Sequence, residues 1–537
     1  MAGVPAIPLR YLGYIVCLVA FAASLICLPH SAMWGWPAAI FGSLSVLGTW
    51  DLIQRKRTIS RNYPVLAHLR YCLESIGPEI RQYFIESDTD ERPFSREQRS
   101  VVYQRAKNQL DKKPFGSVLS LYGNGYEWMS HSLVPSSPAS MDFRVTVGAD
   151  CHKPYNSSVF NISAMSFGSL SANAIAALSR GAARGGFYQD TGEGSISRYH
   201  LGHGADLVWE IGSGYFGCRD DHGGFNEHLF AEQASLEQVR MIEIKLSQGA
   251  KPGHGGILPA AKVTPEIAEA RGVPAGEDVI SPAAHSAFST PCELLGFVAR
   301  LREISGGKPV GIKLAIGHPW EWFGIAKAMT ELDVVPDFIV VDGGEGGTGA
   351  APLEFVNRVG MPMDEALILV HNTLVGCNLR HRTRIAAAGK ITTGFKIARA
   401  MALGADWCNA ARGFMFALGC VQSLSCHTDR CPTGIATQDP RRARGLDIQD
   451  KASRVHYFHA NTLKALHGLV SAAGLQHPSE IGPHHIVRRV SGSRMMSFAE
   501  LYPRLESGEL LADSSPHPVF RDYWAQARSD AFAHGGG

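Results

Sequence analysis

The sequence predicts an α/β fold, a closed (β/α)8 barrel preceded by a transmembrane helical hairpin and flanked by helical segments. Three patterns predict it. Short apolar runs alternate with helical stretches eight times between Val159 and Ala411. The richest glycine loops follow the last three of those runs and not the first. Two uncharged apolar runs lie ahead of all of them, within residues 11–50.

The apolar runs come first in the chain. Residues 11–28 and 33–50 carry no charge. Each is near the lower limit, about 17–20 residues, for crossing a bilayer as a helix. Trp34, Trp36 and Trp50 bracket the second run, where amphipathic rings sit at headgroup depth. No Lys or Arg lies between the runs, whereas Arg10 precedes them and Arg55, Lys56, Arg57 and Arg61 follow. The positive-inside rule then anchors the chain in the inner (cytoplasmic) membrane, with all that follows facing the cytoplasm. The alternative is a cleaved signal peptide followed by an apolar surface segment; two consecutive runs with a basic cluster behind them favour the hairpin.

The expected organisation is a membrane anchor over residues 1–60, a helical collar over 61–150, the barrel over 151–440 and a C-terminal helical extension over 441–537. The collar includes a charged segment from Asp88 to Arg99. The eight predicted strands are residues 159–164, 186–189, 207–211, 241–246, 310–315, 338–341, 384–388 and 407–411. Predicted helices over 171–184, 291–304, 320–332, 366–379 and 395–403 alternate with them, which implies a parallel sheet. An open doubly wound sheet would place its glycine-rich phosphate loop after the first strand. Loops after strands six, seven and eight favour the TIM-type barrel.

Composition narrows the function. A formal net charge of +2 over 537 residues offers no nucleic-acid surface. Eleven cysteines without a regular framework point away from a disulfide-stapled secreted domain and towards a reducing compartment. Fifty-seven glycines, many of them clustered, suit loops whose N–H groups approach a phosphate.

In such a barrel the site lies at the C-terminal ends of the strands. Gly346, Gly347 and Thr348 follow strand six, Gly389 follows strand seven and Gly413 follows strand eight. Together these loops form a candidate site for the terminal phosphate of FMN. Lys313, alone among apolar neighbours in strand five, is a candidate for the electron-rich edge of a reduced flavin, unless its head snorkels outward to solvent. Lys251, in the glycine-rich loop after strand four, suits an anionic substrate carboxylate or the flavin N1–O2 edge. Glu193, after strand two, suits orienting an amine or imine, or moving a proton. The alternative for both is a loop salt bridge. Cys420, Cys426 and Cys431 form C-x5-C-x4-C ending in Cys-Pro, a pattern of iron–sulfur ligation. Three thiolates suit a 3Fe–4S cluster better than 4Fe–4S; a structural zinc, with His427 enlisted, is the alternative. The scattered histidines of the tail are assigned no metal.

These residues resemble a known family. The run Ser163-Ala164-Met165-Ser166-Phe167-Gly168-Ser169-Leu170-Ser171 is similar to the opening signature of the FMN-binding synthase domain of glutamate synthase. The segments 190–194, 248–256, 342–352, 389–394 and 418–438 match it in order. The resemblance implies FMN held by Met165, Ser166, Gln248, Lys313 and the late glycine loops, and a 3Fe–4S cluster on the three cysteines. It implies 2-oxoglutarate near Glu193 and Lys251, condensed with ammonia to 2-iminoglutarate and reduced to L-glutamate. An electron donor and an ammonia source would be separate partners. No amidotransferase, glycine-repeat β-helix or Rossmann-type domain is expected, as in the shorter stand-alone synthase-domain proteins. The sequence departs from the family's loop at His254, where Glu is usual, and at Ile257, where a Gln helps bind 2-oxoglutarate. Two other readings follow from those departures and the hairpin. One is a membrane-linked dehydrogenase of another amino acid or amine; the other is a non-catalytic electron-transfer subunit of a membrane complex.

Overall fold

Eight parallel strands close into a barrel in the computed structural model, which describes residues 9–54, 57–85, 93–512 and 517–534. They are β1 (Phe160–Ile162), β2 (Gln189–Asp190), β3 (Leu207–Ile211), β4 (Val239–Lys245), β5 (Val310–Leu314), β6 (Phe338–Asp342), β7 (Arg384–Ala388) and β8 (Trp407–Ala410). Sequence neighbours are barrel neighbours, and β8 pairs back onto β1 through Cys408↔Phe160 and Ala410↔Ile162. All eight lie where the alternation predicts them. The second moves to Gln189–Asp190 because Gly186, at φ 65°, still caps the helix Ala172–Gly185.

The register explains why these strands read as almost continuous apolar runs. One row passes from strand to strand as Ile211↔Ile244, Ile244↔Ile312, Ile312↔Ile339 and Ile339↔Ile385. Side chains alternate between faces, so these β-branched residues share one face of the barrel wall while Glu210, Glu243 and Lys313 share the other. Helices pack around the wall with local start signals: Thr290 and Thr393 each accept the third backbone N–H of the helix they open.

The chain divides into two units, Met1–Asp90 and Glu91–Gly537. In the first, α1 (Leu12–Cys27) and α2 (Gly35–Ile53) form a hairpin. The Phe21 ring covers Gly42 and the Tyr14 ring covers Gly48, while the Tyr14 hydroxyl meets Thr49 Oγ1 at 2.7 Å. The expectation of two membrane-crossing helices is corrected to one. Among the described residues only Leu12–His30 is long and apolar enough. Glycine, Ser43, Ser45, Thr49 and above all Asp51 dilute α2. Asp51 is buried, accepting from the backbone N–H of Val65 and from His68 Nε2 at 3.0 and 2.9 Å. Arg55 and Lys56 of the basic cluster, and Asp88 of the charged segment, lie outside the described residues.

The flanks of the second unit are not purely helical. Glu127–Met129 pairs antiparallel with Ile486–Arg489, which pairs with Met495–Ser497, so a small sheet joins the collar to the C-terminal extension. Arg399 and Arg488 both bind the Glu127 carboxylate beside it. Strands of three or four residues, one of them paired across more than 350 positions, carry no local period that a sequence reading can detect.

Candidate active site

The barrel interior is polar. Towards the N-terminal ends of the strands, Tyr188, Trp407 and Asn409 bond one another, with Tyr188 Oη 2.6 Å from Asn409 Oδ1 and Trp407 Nε1 2.9 Å from Tyr188 Oη. Further along lies Lys313, predicted to point inward or out between helices. It points inward, with Nζ 2.6 Å from Glu210 Oε2.

At the mouth, Glu193 in the loop after β2 meets Lys245, the last residue of β4, at 2.7 Å. Burial opposes a charge on Glu193. Lys245, Arg271 and Lys251 outweigh it and hold the carboxyl at about 2. Glu193 is therefore ionised at neutral pH, which suits it to orienting an amine or imine. Burial lowers Lys251, with Glu193 partly offsetting the effect. Arg271 is buried, donates to the Phe167 carbonyl at 3.2 Å and stacks over Phe216. Glu193, Lys245, Ser247, Gln248, Lys251 and His254 line a small cavity of about 20 Å³. A larger cavity, about 210 Å³, lies by Asp406, which precedes β8 at the opposite end of the barrel, and is lined by His371, Arg380 and Tyr502.

The predicted cofactor residues gather at the same end as Glu193. Met165 and Ser166 follow β1, and their backbone touches Gly192: a Cβ there would sit 2.7 Å from Ser166 N, and φ at Gly192 is 65°. The loop after β4 is tied to β6 by Gly249 N–H donating to Asp342 Oδ2 at 3.0 Å. A Cβ on Gly249 would lie 1.8 Å from the Gly343 carbonyl oxygen, so only glycine fits. Arg412 donates to the Thr348 carbonyl, joining the loops after β6 and β8, and Gly413 packs on the Ile391 carbonyl, joining those after β7 and β8. Gly346, Gly347, Thr348, Gly389 and Gly413 thus share one rim, a backbone cradle of the kind a phosphate needs.

Cys420, Cys426 and Cys431 follow the helix Arg412–Leu418. A donor faces each sulfur. Gln422 N–H faces Cys420 Sγ at 3.5 Å, Arg412 Nη1 faces Cys426 Sγ at 3.9 Å, and the Thr433 hydroxyl lies 3.4 Å from Cys431 Sγ. Burial pushes Cys420 up to about 11. Burial also opposes the Cys431 thiolate, yet backbone N–H groups of Ala436, Thr433 and Ile435 and the Thr433 hydroxyl lower it overall. Lys262 Nζ donates to the Cys426 carbonyl at 2.9 Å. Donors and cations around three sulfurs are the environment that thiolate ligands of a cluster require. Among the described residues, the one group bringing three ligand atoms within 4.8 Å of one another is Asp190, Glu210 and Glu243, so the cysteines are spread wider than a single ion needs.

Residues 145–476 match the family model described as the conserved region in glutamate synthase. The chain belongs to the glutamate synthase family. It is 36% identical over 533 residues to the glutamate synthase large subunit-like protein YerD of Bacillus subtilis (strain 168), covering 91% of this chain and 98% of that protein. It is 36% identical over 319 residues to the archaeal glutamate synthase [NADPH] of Methanocaldococcus jannaschii, a match spanning 58% of each chain. A solved structure of a flavocytochrome b2 mutant with pyruvate bound aligns with TM-score 0.43 at 11% identity, covering 78% of this chain and 85% of that one. Within the glutamate synthase family's loop, His254 lines the cavity and lies 5.5 Å from the Phe355 ring. Ile257 lies outside the cavity wall, 47% exposed on a hairpin with Val279–Ile280, so its loss of a hydrogen-bond donor bears less directly on the cavity than the sequence implied. Lys245, Arg271, Glu210 and Glu243 were not legible as site residues. Charged residues at alternate positions of apolar strands were the signal for all but Arg271, which had none.

Proposed function

We propose that this family member is an FMN- and iron–sulfur-dependent oxidoreductase that converts 2-oxoglutarate and ammonia, through 2-iminoglutarate, to L-glutamate. The observation that carries the reading is the charge at the mouth. Three cations, Lys245, Lys251 and Arg271, surround the carboxylate of Glu193, a concentration of positive charge that suits a dicarboxylate. Ionised Glu193 accepts a hydrogen bond from an ammonia or imine N–H and so orients the nitrogen. Lys251 and Lys245 take the carboxylates.

FMN, when bound, supplies the hydride chemistry. Met165, Ser166, Gln248, Lys313, Gly346, Gly347, Thr348, Gly389 and Gly413 would hold it. Cys420, Cys426 and Cys431 would hold a 3Fe–4S cluster, and Arg412 reaches both that segment and the phosphate rim. Electrons and ammonia come from separate partners. The apolar α1 anchors the chain in the cytoplasmic membrane, and the barrel faces the cytoplasm.

A second reading keeps both cofactors and oxidises another amino acid or amine, passing electrons to a membrane acceptor. Two observations favour it. The outer face of α1 is apolar and exposed at Val16, Val19 and Ile26. His254 also stands in the cavity wall where the family has an acid.

An anaerobic single turnover of the detergent-purified full chain separates the two. Its flavin is reduced chemically, then mixed with 2-oxoglutarate and ammonium. Reoxidation with stoichiometric glutamate supports synthesis. A flavin that stays reduced, beside intact iron and sulfide, refutes synthesis in favour of the dehydrogenase.

A further inference from the structure

Beneath the mouth, three carboxyls converge on one ammonium. Lys313 Nζ lies 2.6 Å from Glu210 and 3.6 Å from Glu243 Oε1, and one oxygen each of Asp190, Glu210 and Glu243 lies within 4.8 Å of the others. All four side chains are buried. The other titratable groups facing them are Asp342 on β6, Tyr188 just before β2 and Lys245 at the end of β4. Fully ionised, the carboxyls would far outnumber Lys313 in a sealed interior, which is strongly unfavourable. Glu243 Oε1 accepts no hydrogen bond and faces the Lys313 ammonium at 3.6 Å, a position more tolerable for the carbonyl oxygen of a neutral acid than for a carboxylate. Burial first, then the neighbouring acids, push Glu243 well above the usual carboxylate range and Asp190 up to about 7. Lys313 already supplies the cation that such a cluster would otherwise draw from solution.

We propose that Asp190, Glu210 and Glu243 form a proton-holding triad that positions Lys313 and takes up one proton when negative charge arrives at the barrel mouth. Glu210 orients the ammonium, Glu243 keeps a proton, and Asp190 is the acceptor: its carboxylate binds one proton from solvent and becomes the neutral acid. No other bond changes. The identity of the arriving charge, a reduced flavin, rests on the functional reading above. The stored proton is a property of the chain alone. Asp190, Glu210 and Glu243 are positioning residues, reaching the chemistry through Lys313.

Two measurements on the detergent-solubilised full chain test this. Infrared spectra of the flavin-free chain at pH 9, where Asp190 is ionised, should show a buried, slowly exchanging protonated-carboxyl band. Glu243→Gln should remove it, and Asp190→Asn should abolish a further rise in that band as pH falls through about 7. Absence of the band from the wild type overturns the proposal whether or not the variants fold, as does its persistence in a folded Glu243→Gln. In the flavin-loaded chain reduced with dithionite at pH 8 in weak buffer, Asp190→Asn should take up one proton fewer per flavin than wild type. Equal uptake overturns the coupling. A chain that binds no FMN would sink the functional reading and leave the infrared outcome to decide the stored proton.

Discussion

Replacing Lys245 with methionine removes from Glu193 the cation that does most to keep it ionised. The Glu193 carboxyl is held at about 2, against an ordinary 4.5. A difference of about 2.5 pH units corresponds to roughly 3 kcal/mol of differential interaction. Lys245 supplies the largest favourable share, ahead of Arg271 and Lys251. The two side chains are only 10% and 20% exposed, so solvent screens the pair little. Lys245→Met should therefore cost about 2 kcal/mol, less than breaking a fully sealed pair because two cations remain. Urea unfolding of the full chain in detergent, for Lys245→Met, Glu193→Gln and the double variant, isolates the pair. The expected coupling at pH 7 is about 2 kcal/mol. Because the folded carboxyl is depressed, that coupling is present above pH 4.5 and fades as pH falls towards 2. A coupling below about 0.5 kcal/mol at pH 7, or one that grows on acidification, would refute the ionised clamp.

Three other perturbations probe the remaining parts. Gly249→Ala would press a Cβ to 1.8 Å from the Gly343 carbonyl oxygen. It should destabilise the chain by about 2 kcal/mol or more and strip its flavin, read as flavin absorbance per protein; full occupancy with unchanged melting would contradict the close approach. Cys426→Ser should lose iron and sulfide while circular dichroism keeps the barrel signature; wild-type metal content would remove the ligand assignment. Val16→Arg with Val19→Arg puts two charges on the exposed face of α1, at roughly 2.5–3.5 kcal/mol each in a bilayer centre. The chain should then leave the membrane pellet in a carbonate wash, and retention there would count against α1 as anchor.

Several features are readable because they are local. Gly249 and Gly192 mark places where backbone meets backbone, and the need for glycine is written at the position itself. The eight strands are apolar runs because both faces of each are covered. Lys313 stood out as a charge inside such a run. Lys245 carried the same signal but sat at a run's end, where a charge also reads as the start of a loop. Asp51 lies just past the second apolar run, and its burial against His68 depended on a helix further along the chain. The sheet joining Glu127–Met129 to Ile486–Arg489 had no local signature.

The sequence by itself determined the alternation of strand and helix, the glycine turns, the apolar hairpin and the cysteine spacing, since each depends on residues a few positions apart. Tertiary structure decided which charges meet. Glu193 finds Lys245 across 52 positions and Lys313 finds Glu210 across 103, and both pairings exist only once the barrel closes in one register. A slip of one residue would turn every one of those side chains to the other face of the wall. The charge at the mouth and the protons beneath it are therefore properties of the closed barrel, set by burial and by the charges that closure brings into contact.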